Sequence, residues 1–156
     1  MVGLDRETLA KDLPAIAGGY DWVVIDGAPQ IAKLSAAAVR VADIVMIPVQ
    51  PSPYDIWACA DLVDIIKVRQ EAGDGKPKAA FLISRAIKGT KLSEEIYQAL
   101  NDYGLPVLAA RTTQRVVYPT TAAEGKTVFD AADAGAVAEI GAIKTEVLEV
   151  LHGTQG

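Results

Sequence analysis

Hydrophobic positions along the chain fall into two patterns, short uninterrupted runs and longer stretches with helical spacing. The uninterrupted runs predict strands buried on both faces at residues 20–26, 43–49, 78–84 and 105–110. The helically spaced stretches predict helices at residues 5–17, 31–41, 53–72, 91–103 and 131–151. Because strands and helices alternate, the pattern predicts an α/β fold with a parallel sheet flanked by helices.

Local signals mark several ends of these elements. Pro14 is expected to limit the first helix, and Gly18 with Gly19 is expected to stop it. Ser52 followed by Pro53 predicts the start of the third helix, since serine caps a helix and proline fits its first turn. The chain shows no internal repeat or linker, so we expect a single domain over residues 1–156.

Composition narrows the class of protein. The chain is 51% hydrophobic with a formal net charge of −5, so it is not a bulk polyanion binder, although a local basic patch remains possible. Its single cysteine, Cys59, excludes an internal disulfide framework and favours the cytoplasm. The apolar runs are shorter than the ~20 residues that a membrane helix needs, so we expect no membrane association.

The stretch VVIDGAP, residues 23–29, is the first candidate for chemistry. Asp26 ends a predicted buried strand, at the sheet edge where parallel-sheet proteins bind ligands. A carboxylate there could hold Mg²⁺ through water while the ion bridges phosphate oxygens. Gly27 would let the backbone approach a terminal phosphate closely. The alternative is that Asp26 only caps the following turn or helix.

A phosphate-binding loop would be the natural partner of this acid, and the sequence does not supply one. The segment EGKTVFD contains Gly125, Lys126 and Thr127, which resemble the end of a G-x-x-x-x-G-K-[ST] loop. However, Thr120 occupies the position of the first glycine, and no predicted strand leads into the segment. We therefore interpret it as something other than a phosphate loop.

Basic residues follow the third and fourth predicted strands. They are Arg85, Lys88 and Lys91 after the third, and Arg111, Arg115 and Lys126 after the fourth. In a parallel sheet these loops share one edge, where the positive charges could bind nucleotide phosphates or a nucleic-acid backbone. The alternative is a scattered, solvated surface.

The ordered set YDWVVIDGAP, ADIVMIPVQPSPYDIWA, FLISR, TTQRVVY and GKTVFD resembles the ParA-type plasmid partition ATPases, of the deviant Walker A P-loop group. The resemblance covers roughly residues 20–151. It implies a P-loop NTPase-like fold, with a three-layer parallel sheet flanked by helices. The family's Walker A loop and first strands have no counterpart before VVIDGAP. The resemblance therefore implies the C-terminal portion of such an ATPase domain, incomplete without its N-terminal strands.

By this resemblance the cofactors are ATP and Mg²⁺, bound weakly or not at all by this chain alone. Asp26 matches the Walker B aspartate that holds Mg²⁺ through water, and Gly27 with Pro29 matches the switch segment. Asp26 and Gly27 are then the expected catalytic residues. Ser84 and Arg85 stand where members of the family contact the adenine, although many members have asparagine before the basic position. The expected DNA-binding residues are Arg111, Arg115 and Lys126.

The resemblance also implies a function and partners for the complete protein. It would dimerise on ATP, bind nucleoid DNA nonspecifically, respond to a ParB-like centromere-binding protein and segregate plasmid DNA in the bacterial cytoplasm. The 156-residue chain would be inactive alone and would form a homodimer or higher oligomer through exposed strand edges. The alternative function is a non-catalytic ParA-like interaction module that binds full-length ParA, its partner or DNA. An unrelated flavodoxin-like α/β protein is a third reading.

Overall fold

The computed structural model describes residues 8–27, 32–87 and 92–153. The chain divides into two compact units, one of Met1–Val45 with Asp61–Lys78 and one of Met46–Ala60 with Ala79–Gly156. The single domain expected from the sequence stays a prediction. In chain order the elements are α1 Leu9–Ala17, α2 Ala32–Val41, β1 Ile44–Val49, α3 Pro53–Ala58, α4 Ala60–Ala72, β2 Lys78–Ile83, α5 Leu92–Asn101, α6 Val117–Ala123, a 3₁₀ helix Val128–Asp130 and α7 Ala134–His152.

In the first unit, α1 packs against α2, and Leu9 and Val39 are buried. Gly18 ends α1 as the sequence predicts. The prediction that Pro14 limits the helix is wrong, because α1 continues through it to Ala17. A proline inside a helix removes one hydrogen bond. Here both Pro14 and Ala10, one turn earlier, are exposed, so water can satisfy the freed carbonyl.

The first predicted strand does not form. Residues 22–27 have no regular structure, and Val24 is 92% exposed beside the exposed Tyr20 and Trp22. An apolar strand of this kind is stable only when other strands hydrogen-bond to it and helices cover its faces. Among the described residues no strand pairs with this segment. The segment therefore contains residues that favour a strand, but no described strand is available to pair with it.

The strands β1 and β2 form where the sequence predicts them and pair in parallel. The backbone N–H of Lys78 donates to the carbonyl of Asp43 at 2.9 Å, and that of Ser84 donates to Val49 at 2.8 Å. The inner residues Phe81 and Ile83 are fully buried. The three-layer sheet implied by the family resemblance stays a prediction.

The fourth predicted strand is replaced by a bulged segment that runs beside β2. Parallel bridges join Phe81 to Val107 and Ala86 to Thr113, so five residue steps along β2 and its extension face six steps on the partner. The extra residue breaks the ladder, as in a β-bulge. The backbone N–H groups of Ala109 and Ala110 turn away and donate to Glu146 of α7, each at 2.8 Å.

The third predicted helix is divided at Cys59 into α3 and α4. Within the second unit α3 packs against α5, and the Tyr103 hydroxyl donates to the carbonyl of Ile56 at 3.1 Å. Both tryptophans are exposed, Trp22 at 62% and Trp57 at 66%. None of the described helices is long and apolar enough to cross a membrane.

The helix α7 is the longest element of the second unit. Asp133 caps its N-terminus by accepting a hydrogen bond from the Ala136 N–H at 2.9 Å. Gly153 ends it with φ near 70°, the left-handed conformation that glycine adopts at helix ends. The buried Ala136 and Val150 anchor it at both ends. The helix is thus capped and packed near both of its ends.

Candidate functional site

A cleft of about 1280 Å³ opens at the carboxyl end of β2, within the second unit. One wall is residues 84–87, directly after β2. The other is residues 112–116 with Tyr118, Pro119 and Ala122 of α6. The walls are joined where Ala86 N–H donates to Thr112 at 2.8 Å and Gln114 N–H donates to Ala86 at 3.1 Å. This is the edge at which parallel-sheet proteins bind ligands.

The first wall carries a strained residue. Arg85 has φ near 54°, the left-handed region that non-glycine residues seldom occupy. Its backbone N–H donates to the Thr112 hydroxyl at 3.1 Å, which ties the strained residue to the opposite wall. Strain of this kind, on the order of 1 kcal/mol, clusters at ligand sites. Ser84 and Arg85 therefore lie together in a cleft, as an adenine contact requires, and that role stays a prediction.

The second wall is held by one carboxylate, that of Glu139 on α7. Thr113 donates to it from its backbone N–H at 3.0 Å and from its hydroxyl at 2.7 Å. Arg115 donates from Nε at 3.0 Å and pairs through Nη2 at 2.9 Å. The Tyr118 hydroxyl donates at 2.8 Å. Both oxygens of Glu139 are thus occupied by groups from residues 113–118.

These contacts set the charge state of the cluster. Burial by itself raises the pKa of Glu139, but hydrogen bonds from Thr113, Arg115 and Tyr118 outweigh it and lower the pKa to about 2. Burial, followed by the hydrogen bond to Glu139, raises the pKa of Tyr118 above its ordinary value. The hydrogen bond to Glu139 likewise raises the pKa of Arg115. At neutral pH the cluster is a carboxylate facing a guanidinium and a neutral phenol.

Arg115 also reaches the start of α7. Its Nη1 lies 3.2 Å from Asp133, the residue that caps the helix. The guanidinium lies so close to Gly135 that an added Cβ there would be 2.6 Å from Nη2. A larger residue at this position would make the guanidinium shift. The side chain of Arg115, 25% exposed, is thus neutralised by two carboxylates.

The other predicted site residues do not belong to this cluster. Asp26 and Gly27 belong to the first unit, in the irregular exposed segment 22–27. Pro29 lies outside the described residues. Arg111 is exposed, and Lys126 pairs at the surface with Glu124 at 2.9 Å. Their roles in binding Mg²⁺, nucleotide or DNA stay predictions.

The segment EGKTVFD is not a phosphate loop, as the sequence indicates. The helix α6 leads into it where a phosphate loop would need a strand, and Thr120 is inside that helix. Thr127 instead starts the 3₁₀ helix through a capping box with Asp130. The hydrogen bonds from Thr127 lower the pKa of Asp130. Across the described ranges, no three histidine, cysteine or acidic side chains converge as a metal site would require.

Sequence reasoning missed Glu139 and Glu146, the two carboxylates that hold residues 109–118. One signal was present, because they lie seven positions apart and so on the same side of α7, beside its apolar face. Their partners are backbone N–H and side-chain groups of a segment more than twenty positions away, and the local sequence around α7 does not reveal them.

Comparisons with known proteins give the chain a context. A family described as an AAA domain (AAA_31) matches residues 2–78. Maintenance of carboxysome distribution protein A of Halothiobacillus neapolitanus is 27% identical over 147 residues, which are 92% of this chain and 68% of that protein. The uncharacterized proteins MT1749 and Rv1708 of Mycobacterium tuberculosis are 29% identical over 137 residues, 85% of this chain and 43% of each.

These similarities support a ParA-like ATPase with a P-loop type of domain. The helices and parallel strands described above are compatible with the α/β fold of such a domain, and a domain of this kind suggests the use of a nucleotide and Mg²⁺. The chain spans about two thirds of the first relative and less than half of the other two.

Proposed function

We propose that this chain contributes the nucleoside-binding portion of a ParA-like ATPase, and that the whole protein uses ATP to position a cargo inside the bacterial cell. The observation that carries this proposal is the cleft at the carboxyl end of β2. It joins Ser84 and Arg85 to the segment 112–118 at the edge where parallel-sheet proteins take nucleotides.

The lining of the cleft fits a nucleobase. Small-molecule sites are mostly apolar with a few placed polar groups. Exposed Ile87 and Val116 offer apolar surface for a flat ring, while Thr112 and Gln114 bring hydroxyl and amide groups. By the family resemblance Asp26 is the residue that would hold Mg²⁺, and the ion would supply positive charge to offset that of the phosphates.

The cargo is part of the proposal. The name of the Halothiobacillus relative assigns that protein to carboxysome distribution. For this chain we propose plasmid DNA as the cargo, with the protein dimerising on ATP, binding nonspecific DNA and meeting a ParB-like partner. Arg111 is the exposed cation proposed to contact DNA phosphates, together with Lys126. Arg115, which the sequence predicted beside them, is already paired with Asp133 and Glu139.

The test of the nucleoside site is a titration of the ¹⁵N-labelled chain with Mg-ADP, followed by NMR. We expect the amide signals of residues 84–87 and 112–114 to shift. Ala122→Trp should block binding, since Ala122 lines the cleft and is exposed. The matched control is Ala123→Trp, on the next exposed position of α6 but outside the cleft lining. The nucleoside site would be refuted if only the signals of other residues shifted. It would also be refuted if Ala122→Trp and Ala123→Trp lost Mg-ADP binding to the same extent.

The DNA proposal is tested separately in the whole protein. Arg111→Ala should weaken binding by a similar factor on any DNA sequence and reduce the slope of log affinity against log salt by about 1. An unchanged slope would remove Arg111 from the DNA contact.

A second candidate function is a non-catalytic module that binds a ParA-like protein, its partner or DNA. The exposed apolar side chains Tyr20, Trp22 and Val24 favour it, because clustered exposed apolar residues mark interaction sites. Calorimetry of Mg-ATP binding, with Asp26→Ala as the control, separates the candidates. Mg-ATP binding that Asp26→Ala abolishes supports the ATPase. If neither the chain nor the whole protein binds Mg-ATP, the result supports the non-catalytic module.

A further inference from the structure

We propose that Glu139 is a positioning residue of the cleft, which fixes the wall formed by residues 113–118 in its ligand-binding conformation. The ligand in question is the nucleotide, so this part of the inference rests on the proposed function above. The claim that Glu139 holds the wall in place does not depend on the proposed function.

The geometry makes Glu139 the common anchor of that wall. Thr113, Arg115 and Tyr118 stand at three successive points along it, and each donates to the same carboxylate at 3.0 Å or less. A carboxylate is acceptor-only and offers about four lone pairs, so it can take several donors at once. No neutral side chain of this size has the same capacity.

The anchor also acts at the point where the two walls meet. Thr113 forms the parallel bridge with Ala86, the residue after the strained Arg85. The neighbouring Thr112 accepts from the N–H groups of both Arg85 and Ala86. A shift of Thr113 would therefore move the first wall as well. Glu139 thus controls the relation of both walls without lining the cleft.

The helix that carries Glu139 is itself held in place. Glu139 lies in the second turn of α7, whose start is capped by Asp133 and whose Ala136 is fully buried. Asp133 holds the other end of the Arg115 guanidinium at 3.2 Å. This arrangement assigns Arg115 an inward role as the link between α7 and the wall.

The chain contains its own control. Glu146, one heptad further along α7, also accepts two backbone N–H groups, from Ala109 and Ala110. Those residues lie on the bulged segment but do not line the cleft. Glu139→Gln and Glu146→Gln are therefore the same chemical change on the same helix, at one position that serves the cleft and one that does not.

The experiment measures amide hydrogen exchange and Mg-ADP affinity of the 156-residue chain by NMR. In Glu139→Gln we expect exchange at the Thr113 amide to be at least about tenfold faster and the dissociation constant to rise about tenfold. Tyr118→Phe, which keeps the ring and removes one donor, should give a smaller change in the same direction. Glu146→Gln should speed exchange at Ala109 and Ala110 and leave both Thr113 and the affinity unchanged.

Each outcome decides the inference. Unchanged Thr113 exchange in both Glu139→Gln and Tyr118→Phe would overturn it, whatever the nucleotide does. Faster exchange with unchanged Mg-ADP affinity would also overturn it, because the wall would then be held without serving the ligand. If the unaltered chain binds no Mg-ADP but Thr113 exchange still rises, the proposed function fails while the positioning of the wall stands.

Discussion

Removing the charge of Glu139 should destabilise the fold in a pH-dependent way. The structure lowers the pKa of this carboxyl from its ordinary 4.5 to about 2. Each unit of such a shift corresponds to about 1.4 kcal/mol of stability, which gives an upper value of about 3 kcal/mol. The side chain is 14% exposed, so solvent screens part of this, and we expect about 2 kcal/mol at pH 7.

The sign follows from the direction of the shift. Because the pKa is lowered on folding, the contribution is complete above the ordinary value of 4.5 and is lost as pH falls toward 2. Glu139→Gln cannot gain or lose this proton. The difference in unfolding free energy between the unaltered chain and the variant should therefore be about 2 kcal/mol at pH 7, decline below pH 4.5, and nearly vanish near pH 2.

The assay is urea unfolding followed by far-UV circular dichroism at a series of pH values between 7 and 3. Glu124→Gln is the control, since its exposed carboxylate pairs with Lys126 at the surface and such pairs contribute about 0–1 kcal/mol. A difference between Glu139→Gln and the unaltered chain that stays constant from pH 7 to 3 would refute the reasoning. So would a difference below about 0.5 kcal/mol at pH 7.

Three further experiments test other parts of the structure. Gly141→Ala lies inside α7 with open space around the added Cβ, so it should stabilise the fold by about 0.5–1 kcal/mol. Gly135→Ala should instead destabilise the fold by about 1 kcal/mol or more, because the added Cβ displaces Arg115. Equal effects of the two substitutions in urea unfolding would contradict the packing at Gly135. Phe81→Leu, at a fully buried site, should cost about 1–2 kcal/mol in the same assay, and a neutral result would mean that the site repacks. Burial, then a nearby carboxylate, raises the pKa of the Cys59 thiol, so it should react with a thiol reagent at pH 7 far more slowly in the folded chain than in urea; similar rates would show that it is accessible.

Local chemistry in the sequence determined most of the helices and both regular strands. Gly18 stops α1, Pro53 starts α3, and Gly104, with φ near 70°, follows the end of α5. These signals work because caps and left-handed turns depend on residues next to one another in the chain. The apolar runs of β1 and β2 likewise formed strands where they were predicted.

Tertiary structure decided the rest of the sheet. Residues 20–26 and 105–110 have the same apolar character as β1 and β2, but a run of that kind only permits a strand. A strand exists when another strand supplies its hydrogen bonds. The first of these segments lacks such a partner among the described residues, and the second loses two N–H groups to Glu146.

The same division applies to the candidate site. The sequence pointed to Arg85 from its place after a strand and to Ser84 through the family resemblance, and the structure puts both in a cleft. It could not point to Glu139, whose importance comes from three donor residues more than twenty positions away. A site made of adjacent residues can be recognised in the sequence. The role of a carboxylate such as Glu139 becomes evident only when folding brings its distant donor residues within hydrogen-bonding distance.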